Sequence, residues 1–122
     1  MTRLLRVGVD MVSVARIEGV LTRHGTRFLE RTYTADEQAY CQGRPAALAA
    51  RFAAKEAVAK ALGTGFGPVA WREVEIVGDE RKAPIVVLHG KARARAQELG
   101  LHHFAISLTH ERDMAMAFVV AT

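Results

Sequence analysis

The run from Pro45 to Leu62 carries Lys55, Glu56 and Lys60 among alanines and larger apolar residues. At about 100° per residue, Leu48, Phe52, Ala59 and Leu62 fall on one stripe about 80° wide, the face that should meet a core. Lys55 projects from within that stripe, where an ammonium must snorkel outward or find an anion. Glu56 and Lys60 lie on its border one turn apart, the spacing of an ordinary surface ion pair. Asp10 interrupts the apolar run Leu4–Val12, where a carboxylate costs free energy unless it is paired or holds a cation. Two readings are open for it: an Asp bonded to backbone amides at a strand end, or a partner of Glu56 around a hard cation. Two carboxylates from separate elements, completed by waters and phosphate oxygens, is how proteins usually hold Mg²⁺.

Two further segments could touch an anion. Ser107-Leu108-Thr109-His110 ends a strand-like run with two hydroxyls and an imidazole. On a strand, Ser107 and Thr109 share one face while Leu108 and His110 share the other. A nearby anion would favour the charged imidazole. Gly63-Thr64-Gly65 is a weaker signal, because it follows a helix instead of opening one, and its default reading is a helix C-cap and loop.

The elements that must position these residues follow from patterning. Leu4–Val12 reads as a buried strand, and Ser13 as the N-cap of a helix that carries Val14, Ile17, Val20 and Leu21 to about Arg23 and ends at His24-Gly25. Thr34 with Glu37 three residues on is a capping box for a short helix to about Tyr40. Pro45 suits the first turn of the long helix, which stops at Gly63. Glu73–Val77 and Ile85–Leu88 read as strands punctuated by Gly78-Asp79-Glu80 and Pro84. Lys91–Leu99 reads as a helix closed by Gly100, and Phe104–Thr109 with Met114–Val120 as a hairpin. The order predicts an α+β chain, one domain over residues 1–122, with a largely antiparallel sheet packed against a long helix.

The 122 residues are 50% hydrophobic and 25% charged, ordinary for a soluble globular protein. No apolar run approaches the roughly 18 residues that cross a bilayer, and the N-terminus lacks the pattern of a signal peptide, so a cytoplasmic protein without a membrane partner is expected. The single Cys41 excludes an internal disulfide, and the adjacent His102 and His103 are not spaced for a zinc site. A net charge of +4 invites a negatively charged partner. The excess is concentrated at the start, where Arg3, Arg6, Arg16, Arg23, Arg27 and Arg31 face only Asp10, Glu18 and Glu30 within residues 1–31.

Gly8-Val9-Asp10-Met11-Val12 with Arg16-Ile17, Arg51-Phe52-Ala53-Ala54-Lys55-Glu56-Ala57 through Lys60-Ala61-Leu62-Gly63-Thr64-Gly65, and Ile106-Ser107-Leu108-Thr109-His110 together resemble the acyl-carrier-protein synthase family, the short, single-copy 4′-phosphopantetheinyl transferases. The resemblance runs nearly end to end. One departure is local: the family's lysine-proline step before its fourth strand stands here as Lys82-Ala83-Pro84. The resemblance implies the 4′-phosphopantetheinyl transferase fold and transfer of phosphopantetheine from coenzyme A to an apo-acyl carrier protein, releasing 3′,5′-ADP, in a pathway such as fatty acid biosynthesis. It implies Asp10 and Glu56 as Mg²⁺ ligands and catalytic residues, with Lys60 stabilising charge or helping the leaving group. Arg51, Lys55, Lys60, Gly63, Thr64, Gly65, Ser107, Thr109 and His110 would line the coenzyme A site, and Arg16 would face the acidic carrier. The base is left open between Glu56 and a metal-bound water that Asp10 orients. A single-copy chain must borrow the second half of its site from a neighbour, so the resemblance also implies a homotrimer with shared sites. A nucleic-acid-binding module would explain the basic charge, but aromatics are few and no binding motif is present; a non-catalytic scaffold would leave Asp10 and Lys55 without a reason.

Overall fold

The computed structural model describes residues 4–78 and 81–122. Its centre is the helix α3 (Pro45–Leu62), with Pro45 in its first turn and Gly63 as a left-handed C-cap at φ 70°. Nearly every α3 residue from Leu48 to Leu62 is buried, Glu56 and Lys60 excepted. The stripe expected from Leu48, Phe52, Ala59 and Leu62 is therefore only part of the buried surface. Alanines carry little amphipathic signal, yet their small side chains let neighbours close in from every side.

Across one flank of α3 lies an antiparallel sheet of β1 (Arg6–Ser13), β5 (Met114–Ala121) and β4 (Phe104–His110), in the order β1-β5-β4. Gly8 makes the approach possible: a Cβ there would overlap the Ala57 carbonyl oxygen. Ala57, Ala115, Ala117 and Val119 fill the space between helix and sheet. The smaller sheet pairs β2 (Val74–Gly78) with β3 (Pro84–Leu88), also antiparallel. The chain thus builds two antiparallel sheets, and a 3-10 turn at Trp71–Glu73 precedes β2. Of the expected turn at Gly78-Asp79-Glu80, Asp79 and Glu80 lie outside the described residues.

The remaining helices are α1 (Val14–Thr32), α2 (Ala35–Cys41) and α4 (Gly90–Glu98). Ser13 caps α1 by accepting from Arg16 N at 3.3 Å, and the Thr34–Glu37 capping box of α2 is complete. α1 does not end at Gly25. That residue breaks the helix (φ 46°, ψ −122°), and the chain resumes helical geometry to Thr32. Phe28 and Leu29 of the second half pack against the core, which rewards the resumption.

Candidate active site

Asp10 leaves β1 on the side that faces α3, one strand step beyond Gly8. Glu56 lies opposite it, partly exposed. Its carboxyl is pushed above the ordinary value of 4.5 by burial and then by repulsion from Asp10, against the attraction of Lys60 and Arg16. Lys60 reaches across to the strand and donates to the Val9 carbonyl at 2.8 Å and to Asp10 Oδ1 at 3.3 Å. Its ammonium is half exposed, so it can turn toward a ligand.

The donor set suits a hard divalent cation. Two carboxylates that repel each other gain most from a shared positive charge, and oxygen ligands are what Mg²⁺ prefers. No group of three or more His, Cys, Asp and Glu side chains is placed to hold a metal among the described residues. A cation at Asp10 and Glu56 would need further oxygens from solvent and substrate, which leaves it open for chemistry.

A second basic cluster sits beyond α3. Arg51 points about 140° around the helix from Glu56, five residues apart. It is 6% exposed, lies over the Tyr40 ring at 3.9 Å, and its buried Nε has no partner. With Tyr40, Arg44, Lys82, Pro84 and His110 it lines a pocket of ≈ 400 Å³. Lys82 holds a left-handed backbone at φ 64°, a conformation that costs a non-glycine residue about 1 kcal/mol. Sequence reasoning passed over Arg44 and Lys82. The Lys82-Ala83-Pro84 step was the available signal, read only as loop geometry.

The other expected site residues divide. His110 reaches the pocket, whereas Ser107 and Thr109 lie exposed on the opposite face of β4. The Gly63–Gly65 turn is first a helix cap: Gly63 N donates to Lys60 O and Thr64 N to Ala59 O. Arg6 and Arg95 add side-chain bonds to the Ala61 and Leu62 carbonyls, the cations that a helix C-terminus attracts. Thr64 Oγ1 is buried without a partner. Arg16 is exposed on α1 with its guanidinium 5.7 Å from the Phe52 ring.

Lys55, expected to line the coenzyme A site, is buried in this chain, its side chain 0% exposed. Its ammonium donates to Glu37 Oε1 at 2.7 Å, Val74 O at 2.6 Å and Trp71 O at 3.1 Å, which uses all three N–H bonds. Burial pulls its pKa down against the opposing pull of Glu37.

Residues 6–119 match the 4′-phosphopantetheinyl transferase superfamily. The chain belongs to the holo-[acyl-carrier-protein] synthase family within it. It is 45% identical over 124 residues to the holo-[acyl-carrier-protein] synthase of Herpetosiphon aurantiacus, spanning 96% of this chain and 98% of the relative. The Helicobacter pylori holo-[acyl-carrier-protein] synthase, solved in complex with coenzyme A, superposes with a TM-score of 0.87 at 31% identity, over 95% of this chain and 99% of that one. The Bacillus anthracis synthase, in complex with coenzyme A as 3′,5′-ADP, does so with a TM-score of 0.77 at 32% identity, over 95% and 94% of the two chains. The family makes the chain an enzyme that modifies acyl carrier protein. It also bears out the α+β fold with its antiparallel sheet and long helix.

Proposed function

We propose that this holo-acyl-carrier-protein synthase takes its phosphopantetheine from coenzyme A in a Mg²⁺-dependent reaction and releases 3′,5′-ADP. The observation that carries the reading is the Asp10–Glu56 pair, two mutually repelling carboxylates beside the Lys60 ammonium. Coenzyme A offers a pyrophosphate to such a site and a further phosphate on its nucleotide end. The Arg44, Arg51, Lys82 and His110 pocket suits that end, since it gathers three cationic side chains and an imidazole.

The carrier's serine oxygen forms a bond to the β-phosphorus as the bond from that phosphorus to the bridging oxygen breaks. The serine proton must leave, and the acceptors within the site are Glu56 or a water that Asp10 orients. Lys60 meets charge growing on the pyrophosphate, and Arg16 grips a carrier carboxylate beside the site. Asp10 and Glu56 would hold a Mg²⁺ ion, which when bound would neutralise charge on the pyrophosphate.

We further propose that the enzyme works as a homotrimer with shared sites. Val7, Val9 and Met11 of β1 and Met116 and Phe118 of β5 leave an apolar sheet face exposed. A soluble sheet needs a cover for such a face. Ser107 and Thr109 pair with Phe118 and Met116 on that same face, where a covering copy would meet them. Asp10 and His110 stand on the two outer strands, β1 and β4, with β5 between them, which favours a site completed by two chains.

The test is incubation with apo-carrier and coenzyme A, with and without Mg²⁺. The expected product is a carrier bearing phosphopantetheine by mass spectrometry, together with 3′,5′-ADP. Full transfer after exhaustive chelation would refute the metal requirement, and release of any other nucleotide would refute the donor.

A further inference from the structure

We infer that Lys55 and Glu37 are positioning residues for the carrier-facing cleft: their buried ion pair holds the Trp71–Glu73 turn so that the Trp71 ring forms the cleft wall. Lys55 bonds the carbonyl of Trp71, the first residue of that turn, and that of Val74, the residue just after it. Its third bond goes to Glu37 Oε1, which also accepts from Thr34 N at 2.9 Å, while Glu37 Oε2 accepts from Ile76 N at 2.9 Å. One ion pair therefore ties α2, α3, the turn and β2 at a single point.

The cleft at the other end of the connection is built on Trp71. Its ring stacks on Phe66 at 3.7 Å and on Phe52 at 4.7 Å. Trp71 and Phe52 line a cleft of ≈ 200 Å³ with Ile17, Phe28, Arg16 and Arg31. An apolar floor rimmed by two arginines suits an apolar side chain projecting from an acidic helix. This inference rests on the proposal that the carrier docks at Arg16.

A purely structural account of the pair is incomplete. A buried ion pair often stabilises no more than well-packed apolar residues of similar volume. Such residues, however, would leave the Trp71 and Val74 carbonyls without their donor, and a turn with unsatisfied carbonyls shifts to find other partners. The ammonium is what fixes the turn in one place.

Trp71 is the only tryptophan in the chain, so its fluorescence reports on that place directly. The double variant Lys55→Met/Glu37→Gln removes both charges without stranding one. It should remain folded by circular dichroism, shift the Trp71 emission and at least double its quenching by acrylamide. The KM for the carrier should rise about tenfold, with coenzyme A binding and kcat at saturating carrier changed less than about threefold. Unchanged Trp71 emission, or a loss of coenzyme A binding as large as that of the carrier, would overturn the inference. In the wild type, saturating apo-carrier should alter Trp71 emission. If it does not, the docking proposal fails, and the variant's own emission still decides whether Lys55 holds Trp71. Should the double variant not fold, Trp71→Leu, which leaves the ion pair in place, must reproduce the carrier defect, and a normal carrier KM there would overturn it.

Discussion

Lys60 pairs with Asp10 across the β1–α3 interface at 3.3 Å, although Glu56 stands one turn away on its own helix. The i,i+4 spacing made the Glu56–Lys60 surface pair the bland expectation, and the structure sends the ammonium to the strand. The two carboxylates and one ammonium thus meet as a cluster drawn from two elements. On the proposed metal assignment, a cation held by Asp10 and Glu56 would free the Lys60 ammonium for a phosphate.

Asp10→Ala and Glu56→Ala should each cost at least about a hundredfold in transfer, with the fold intact. The double variant should be little worse than either, because groups that act on one ion are not additive. Measured without metal, Glu56→Gln should be at least as stable as wild type, since it removes a carboxylate that burial and Asp10 both oppose. Near-normal transfer by Asp10→Ala at saturating Mg²⁺ would sink the metal assignment.

Lys60→Ala and His110→Ala should fail in different ways. A lysine that meets charge grown in the transition state affects kcat more than KM, and about tenfold or more is expected. An imidazole that holds a resting phosphate affects KM for coenzyme A first. Steady-state kinetics on both variants would show the split, and the opposite pattern would exchange their roles.

What was legible in the sequence was whatever local chemistry decides. The Ser13 and Thr34 caps, Pro45, Gly63 and the terminal hairpin stand where short-range signals put them. The oddity of Lys55 was legible as well, since an ammonium in an apolar stripe needs an anion. The identity of that anion was not, because Glu37 lies 18 residues away in another helix and its capping-box role gave it a sufficient reason to exist. The restart of α1 after Gly25 was hidden for a related reason: glycine normally ends a helix, and only packing of Phe28 and Leu29 against the core overrides it. The pocket around Arg51 joins residues from α2, α3, the β3 approach and β4, a juxtaposition made by tertiary packing alone.

Arg16→Glu should raise KM for the carrier about tenfold, near 1.4 kcal/mol, with little change in coenzyme A binding. The wild-type advantage should shrink as salt rises, because exposed charges are screened over about 8–10 Å near physiological ionic strength. Equal damage to both substrates would place Arg16 in the cofactor site or the fold. No damage to either would move the docking surface toward Arg23 or Arg27.

Glu75 gives a pH dependence whose sign is fixed. Burial raises its carboxyl, but hydrogen bonds from Thr34 Oγ1 at 2.6 Å and with His89 Nε2 at 2.9 Å outweigh it, so the folded value lies below 4.5. A depressed acid contributes stability above its unfolded pKa and loses it as pH falls through the folded one. Glu75→Gln should therefore cost about 1 kcal/mol at neutral pH, and the gap to wild type should close below about pH 4. Denaturant melts at several pH values would check this, and a gap that does not change with pH would refute it.

The shared-site proposal predicts rescue between two crippled proteins. Asp10→Ala lacks the metal pair but keeps Arg51 and His110, while Arg51→Ala has the reverse defect. If each site takes Asp10 and Glu56 from one chain and the basic pocket from its neighbour, mixed trimers contain sites with no defect. Random assembly at equal amounts should make about a quarter of all sites intact, since a good site needs one chain of each kind in one order. Co-refolded or co-expressed protein should then recover transfer far above either variant alone, in proportion to that fraction. Phe118→Asp, which places a charge in the exposed apolar face, should abolish both assembly and rescue while the isolated chain keeps its helical signal. If the mixture stays as inactive as its parents although light scattering shows mixed trimers, each chain carries its own complete site, and the division of Asp10 and Arg51 between two subunits is wrong.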